Sequence, residues 1–229
     1  MIRKLAFFGT CVLLFAGCVM TPERDGGNMG TLNEKLIAAA EAGNTEAVRR
    51  LLREGADMNA VNSQGRTAVM AATYNHQTET VRALIQAGAD INIRDNRLDN
   101  PLLYAGAEGL LDIVKLAVDA GADPTLTNRY GGTALIPAAE RGHVEVVDEL
   151  LRRSGIDVNH VNRLGWTALL EAILLSDGGE KHQRIVQLLV DHGADVHLAD
   201  KDGVTPLAHA RERGFHEIAL ILTKAGATR

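Results

Sequence analysis

Aromatic residues are scarce in this chain: 3% of its 229 residues, with one Trp, three Tyr and four Phe. A single packed globule normally fills its core with such rings. Their scarcity, beside abundant Ala, Leu and Gly, points to many thin helices packed through small residues. Cysteine is scarcer still. Cys11 and Cys18 are the only two, which excludes a disulfide framework and a cysteine-based zinc site. Positive charge is not in excess either, since the formal net charge is −5, and this leaves no footprint for nucleic acid. The apolar run from Leu5 to Ala16 is too short to be a comfortable membrane span.

That run is preceded by Arg3 and Lys4 and closed by Ala16-Gly17-Cys18, the layout of a secretory signal. Removal of residues 1–17 takes away these two basic residues and no acidic one, moving the net charge from −5 to −7 by the loss of two positive charges. The segment Leu14-Phe15-Ala16-Gly17-Cys18 resembles a bacterial lipoprotein signal, with Phe15 where such signals usually carry Leu. The resemblance implies cleavage before Cys18, lipidation of its thiol and a periplasmic domain held to the membrane through that lipid. Val19 stands where an Asp would mean inner-membrane retention, so the outer membrane is favoured. The alternative is cleavage by the ordinary signal peptidase, with Cys18 an incidental thiol. Residues 18–31 are polar, Gly-containing and without periodicity, and read as a flexible tether.

From there on the chain repeats itself. Gly55-Ala56-Asp57-Met58-Asn59 returns as Gly88-Ala89-Asp90-Ile91-Asn92, Gly121-Ala122-Asp123-Pro124, Gly155-Ile156-Asp157-Val158-Asn159, Gly193-Ala194-Asp195-Val196-His197 and, truncated, Gly226-Ala227. The intervals are 33, 33, 34, 38 and 33 residues. A second phrase keeps step: Gly65-Arg66-Thr67-Ala68, Gly131-Gly132-Thr133-Ala134, Gly165-Trp166-Thr167-Ala168 and Gly203-Val204-Thr205-Pro206. Such periods mark stacked arrays. On these phrases residues 32–229 are identified as a member of the ankyrin repeat family. That resemblance implies an all-α solenoid of six helix-turn-helix units with short β-hairpins or turns between them. The units run from about 32–60, 61–93, 94–126, 127–160 and 161–198 to 199–229.

The residues make physical sense of this. Thr67 is placed to cap a first helix, and Val81, Leu84 and Ile85 form an i, i+3, i+4 stripe on a second. One unit cannot bury its own stripe, so neighbours must supply the surface. Three units depart from the pattern. In the third, Leu98 takes the usual Gly place and Asn100 the usual Thr place, which predicts a distorted hairpin. In the fourth, Pro137 lies early in the first helix, where a missing N–H is tolerated. The fifth carries extra residues around Ser176–Lys181, a surface insertion that is either neutral, the favoured reading, or a contact arm.

Nothing supports catalysis, a cofactor or a metal. The eight histidines, His76, His143, His160, His182, His192, His197, His209 and His216, fall at different repeat phases and read as turn or packing residues. No phosphate loop or nucleophile-elbow motif occurs. The recurring Asp57, Asp90, Asp123, Asp157 and Asp195 read as turn residues bonding local backbone.

In ankyrin arrays partners lie on the hairpin tips and the inner helix face. Mapped by repeat phase, the candidate contacts are Arg66, Tyr74, Arg97, Arg129, Tyr130, Arg141, Arg163, Leu164, Trp166 and Lys201. Tyr, Trp and Arg dominate interface energies, and three of the five aromatics after the signal fall at such outward positions. The alternative is that Trp166 folds back over the next hairpin and Tyr130 stacks between repeats. The expected function is a non-enzymatic protein-binding module. Small exported ankyrin lipoproteins resemble immunity proteins, which implies neutralisation of a protein partner such as a secreted phospholipase effector. A periplasmic scaffold or stress-tolerance adaptor supporting an exported enzyme is the alternative.

Overall fold

A computed structural model describes residues 26–228; the signal segment and Cys18 lie outside the described residues. Among the described residues there are twelve helices and no strand. They come in pairs: α1 (Gly26–Glu41) with α2 (Thr45–Arg53), α3 (Ala68–Tyr74) with α4 (Thr78–Gln86), and α5 (Pro101–Glu108) with α6 (Leu111–Asp119). Then follow α7 (Leu135–Glu140) with α8 (Val144–Arg153), α9 (Ala168–Leu174) with α10 (Glu180–Asp191), and α11 (Pro206–Glu212) with α12 (His216–Lys224). Odd-numbered helices pack side by side in one row and even-numbered helices in a second. This is the six-unit all-helical solenoid that the repeats imply.

The inner first helices α3, α5, α7 and α9 are short, six to eight residues, and each packs between two neighbours of its own row. Ala68 through Thr73 of α3 and Ala168 through Ile173 of α9 are all buried, so small residues let neighbouring backbones approach. The second helices bury only one stripe: Val81 and Leu84 in α4, Val146, Val147 and Leu150 in α8, and Ile185, Val186, Leu188 and Leu189 in α10. These stripes join into one continuous core from Leu36 to Leu222. A side-chain ladder runs across the units. Asn33, Asn59, Asn92 and Asn159 accept the backbone N–H of Asp57, Asp90, Asp123 and Asp195 at 2.8–2.9 Å. Each of those Asp residues in turn accepts an N–H two positions on, the local turn role expected of them.

The N-terminal boundary differs from expectation. Helix α1 begins at Gly26, so residues 26–31 of the expected tether are helical. Leu36, Ile37 and Ala40 anchor its C-terminal half in the core, and adding turns to a helix already formed costs far less than starting one.

The third hairpin is not distorted. Leu98 adopts φ +64°, close to the +75° of Gly65 and Gly131, and its N–H closes the turn on the Asp95 carbonyl at 2.8 Å. Asn100 caps α5 by accepting the Leu103 N–H at 2.9 Å. A left-handed leucine costs about 1–2 kcal/mol, so the turn is retained at the expense of strain.

Pro137 carries a price that its position alone conceals. Elsewhere the Thr side chain caps the first helix, as Thr67 does on Met70 N and Thr167 on Leu170 N, while the Thr67 carbonyl takes the Ala71 N–H. Pro137 stands where Ala71 would and has no N–H. The Thr133 carbonyl therefore takes the Ile136 N–H at 3.3 Å, and the buried Thr133 Oγ1 is left without a partner.

The insertion after α9 docks on the sixth unit. Arg213 donates to the Ser176 carbonyl at 2.8 Å and lies over the Phe215 ring at 4.9 Å. Gly178, at φ +70°, abuts that ring with no room for a Cβ.

Candidate protein-binding groove

Every fingertip from the second unit onward is braced by one residue. Asn62, Asp95, Asn128, Asn162 and Asp200 each accept, through Oδ1, the backbone N–H groups two and four positions on. Such Asx turns fix the tips so that their side chains project from a rigid frame. Fingers are also tied to each other: Asn96 N donates to Gln64 O and Arg163 N to Tyr130 O, both at 3.0 Å.

Inside this frame a groove of about 400 Å³ runs across the third to fifth units. Arg97, Asp99, Arg129, Tyr130 and Leu164 line it from the tips. Tyr104 and Glu108 of α5, Ile136, Pro137 and Glu140 of α7 with the adjoining Arg141, and Glu171 and Leu175 of and beside α9 complete it. Tyr130, Leu164 and Leu175 are 56%, 53% and 49% exposed, an apolar cluster where most other large apolar side chains among the described residues are buried or half-buried.

Of the residues expected from repeat phase, the fold thus brings Arg97, Arg129, Tyr130, Arg141 and Leu164 together. The others lie elsewhere. Arg66 and Tyr74 are engaged within the chain: the guanidinium sits 3.6 Å over the Tyr74 ring and 3.7 Å from Asp95. Tyr74 stacks at 4.0 Å on Tyr104 and donates its hydroxyl to Asp95 at 3.1 Å. Burial, and then the charges of Asp95 and Asp99, push the Tyr74 phenol up to about 12. Arg163 and Lys201 bridge successive tips, donating to the carbonyls of Arg129 at 2.8 Å and Arg163 at 2.6 Å. Trp166 is half-buried and outside the groove.

Several groove charges are already satisfied. Arg141 meets Glu108 at 2.6 Å and the Ala107 carbonyl at 2.8 Å, Arg97 lies 4.0 Å from Asp99, and Arg129 donates to the Tyr130 hydroxyl at 2.9 Å. Burial, then the neighbouring Asp95, holds the Asp99 carboxyl above its usual range. Glu171, which repeat phase did not single out, is buried on the groove floor and accepts the Asn162 amide at 2.7 Å. Burial raises it to about 7, Glu140 adds to the rise, and the Asn162 bond opposes it. The signal for it was a charged residue four positions after the capping Thr167, where α3 has buried Ala71 four positions after Thr67, that is, an acid inside a buried helix.

Four histidines stitch backbone: His143 to Ala107 O, His160 to Gly131 O, His182 to Glu140 O and His192 to Leu188 O, at 2.7–3.1 Å. His209 pairs with Asp200 at 2.7 Å. Among the described residues no group of three or more His, Cys, Asp or Glu is placed to hold a metal, and no helix is long and apolar enough to cross a membrane.

Twin rows of helices with braced fingertips and one concave, partly apolar groove define a helical repeat solenoid of the protein-interaction class. The family model for ankyrin repeats (3 copies) matches residues 26–95 and 102–200. The chain belongs to the ankyrin repeat family, whose fold is a protein-binding module. It is 48% identical over 191 residues to the ankyrin repeat protein YahD of Escherichia coli (strain K12), covering 83% of this chain and 95% of that one. A crystal structure of an ankyrin repeat domain from Acinetobacter baumannii AYE is 51% identical, with a TM-score of 0.82, and covers 84% of this chain and 98% of that chain. The ankyrin repeat protein EF0377 is 38% identical, with a TM-score of 0.80 and the same coverage.

Proposed function

We propose that this chain is an envelope lipoprotein of the immunity-protein type. Exported and held by a lipid on Cys18 to the periplasmic face of the outer membrane, it grips one protein partner, such as a secreted phospholipase effector, and blocks it. The observation that supports gripping is the exposed trio Tyr130, Leu164 and Leu175, contributed by adjacent units to one groove. Aromatic and aliphatic anchors set in a rigid concave surface are what a partner buries as hot spots. An array laid over an active-site mouth through such a groove would bury a standard interface of about 1,600 Å². The layout of residues 1–18 supports export and lipidation.

Affinity purification of the tagged chain from native envelopes tests the reading. One partner should copurify in near-equal amount, lose its activity in the complex, and be lost when Leu164→Asp is introduced. A copurified enzyme that keeps full activity would make the chain a scaffold instead. For the anchor, Cys18→Ser should abolish incorporation of labelled palmitate and release the protein from the membrane fraction.

A further inference from the structure

The groove's charges do not balance, and the imbalance describes what enters it; this step rests on the groove being the docking surface. Three guanidiniums, Arg97, Arg129 and Arg141, line the groove against four carboxylates: Arg141 pairs with Glu108, Arg97 and Arg129 act on Asp99, and two lining carboxylates have no cation paired with them among the described residues. They are Glu140 on α7 and Glu171 on α9. Glu171 is 5% exposed, and its hydrogen bond comes from a neutral amide, Asn162 Nδ2. The charge of Glu140 is near enough to disfavour ionisation of Glu171. A buried acid beside a second acid, with no counter-charge, costs stability. Here the uncompensated pair opens onto a groove rimmed by exposed Tyr130, Leu164 and Leu175.

The elements packed on α9 offer no internal counter-charge. On α10, His182 is committed to the Glu140 carbonyl at 3.0 Å. On α11, His209 is committed to Asp200 at 2.7 Å, and the adjoining Arg213 to the Ser176 carbonyl. The other charged residues of these two helices, Glu180, Lys181, Arg184, Asp191, Arg211 and Glu212, are solvent-exposed. On α7 only Glu140 itself is charged.

We infer that the groove receives a Lys or Arg side chain of the protein partner, its cationic head between Glu140 and Glu171 and its apolar flanks against Leu164, Leu175 and Tyr130. A long basic side chain suits both halves of the site, because its methylene stem packs on apolar surface while its head seeks charge. A bare metal ion does not suit it: two carboxylates and an amide already used are too few ligands. Binding of the cation favours the ionised form of Glu171, so a proton is released as the complex forms and affinity rises with pH.

The probe is a phage-displayed library of random dodecapeptides, selected at pH 8 on the full chain and counter-screened against Leu164→Asp. Selected peptides that depend on Leu164 should share a Lys or Arg next to an apolar residue. Their affinity should fall by about tenfold or more in Glu171→Gln, and also in Glu140→Gln, which leaves the Asn162–Glu171 bond intact. For such a peptide the dissociation constant of the wild type should drop between pH 6 and pH 8, and that of Glu171→Gln should stay flat. Groove-dependent peptides with no basic residue, or ones bound equally by Glu171→Gln, overturn this inference and leave the docking groove standing. No Leu164-dependent peptide at all overturns both. Thermal unfolding of each variant separates lost contact from lost fold.

Discussion

Asn162 donates its side-chain amide to the Glu171 carboxylate at 2.7 Å, while its own Oδ1 holds the backbone N–H groups of Leu164 and Trp166 at 2.9 and 3.0 Å. A buried acid in a first helix thus orients the amide that shapes the fifth fingertip. The groove floor and the apolar residue on its rim are one bonded unit.

The acid has a consequence for stability. Its folded pKa is raised from 4.5 to about 7, so the fold binds the proton more tightly than the unfolded chain does. The resulting stabilisation is complete below about pH 4.5 and is lost as pH rises through about 7. Urea unfolding should show the wild type losing stability between pH 5 and pH 8. Glu171→Gln, which keeps an acceptor for Asn162, should gain on it by about 1 kcal/mol at pH 8, a figure discounted for solvent in the groove.

Leu98 occupies a left-handed turn position that glycine fills in the neighbouring fingers. Leu98→Gly should therefore stabilise the chain by about 1 kcal/mol, the strain relieved less the extra freedom of the unfolded glycine. A rise of the urea midpoint with an unchanged slope is the expected result.

In the fourth unit, Pro137→Ala restores the N–H that lets Thr133 cap its helix. The gain should be about 1 kcal/mol. Thr133→Ala should cost little beside Pro137 but about that amount in the Pro137→Ala background, a coupling that a double-mutant cycle measures. By comparison, Thr67→Ala and Thr167→Ala should each cost about 1 kcal/mol in the wild type.

The docked insertion makes the last unit depend on Gly178. Gly178→Ala would meet the Phe215 ring and a left-handed backbone together, for a loss of about 1–3 kcal/mol. Hydrogen exchange should quicken in α11 and α12 and leave α3 to α6 unchanged, because stability in an array is local.

Much of this molecule was legible in its sequence because the repeat carries the fold: the Gly-Ala-Asp and Gly-x-Thr-Ala phrases set the helix pairs, and the apolar stripes set their packing. Repeat phase also brought Arg97, Arg129, Tyr130, Arg141 and Leu164 to candidate positions that the fold assembles into one groove. It could not separate them from Arg66 and Tyr74, because phase gives the direction of a side chain and not its neighbours. Asp95 and Tyr104, which engage those two, come from the next unit. Leu98 and Asn100 predict a distorted third hairpin, yet Leu98 itself takes the left-handed conformation that Gly adopts elsewhere, and Asn100 supplies the helix cap that Thr supplies elsewhere. The Asn or Asp three places before tip residues Gly65, Leu98, Gly131, Gly165 and Gly203, and Glu171 inside an apolar helix, stand in the sequence without a pattern that gives their role. Their meaning lies in bonds to the tip backbone and to each other.

The most direct test of the account is the affinity of the copurified partner for the wild type and for a chain carrying Tyr130→Ala and Leu164→Asp, measured by calorimetry on folded protein. A partner held in the groove should bind the double variant about a hundredfold more weakly, or about 2.7 kcal/mol. Equal affinity would contradict the account and place the binding surface elsewhere on the array.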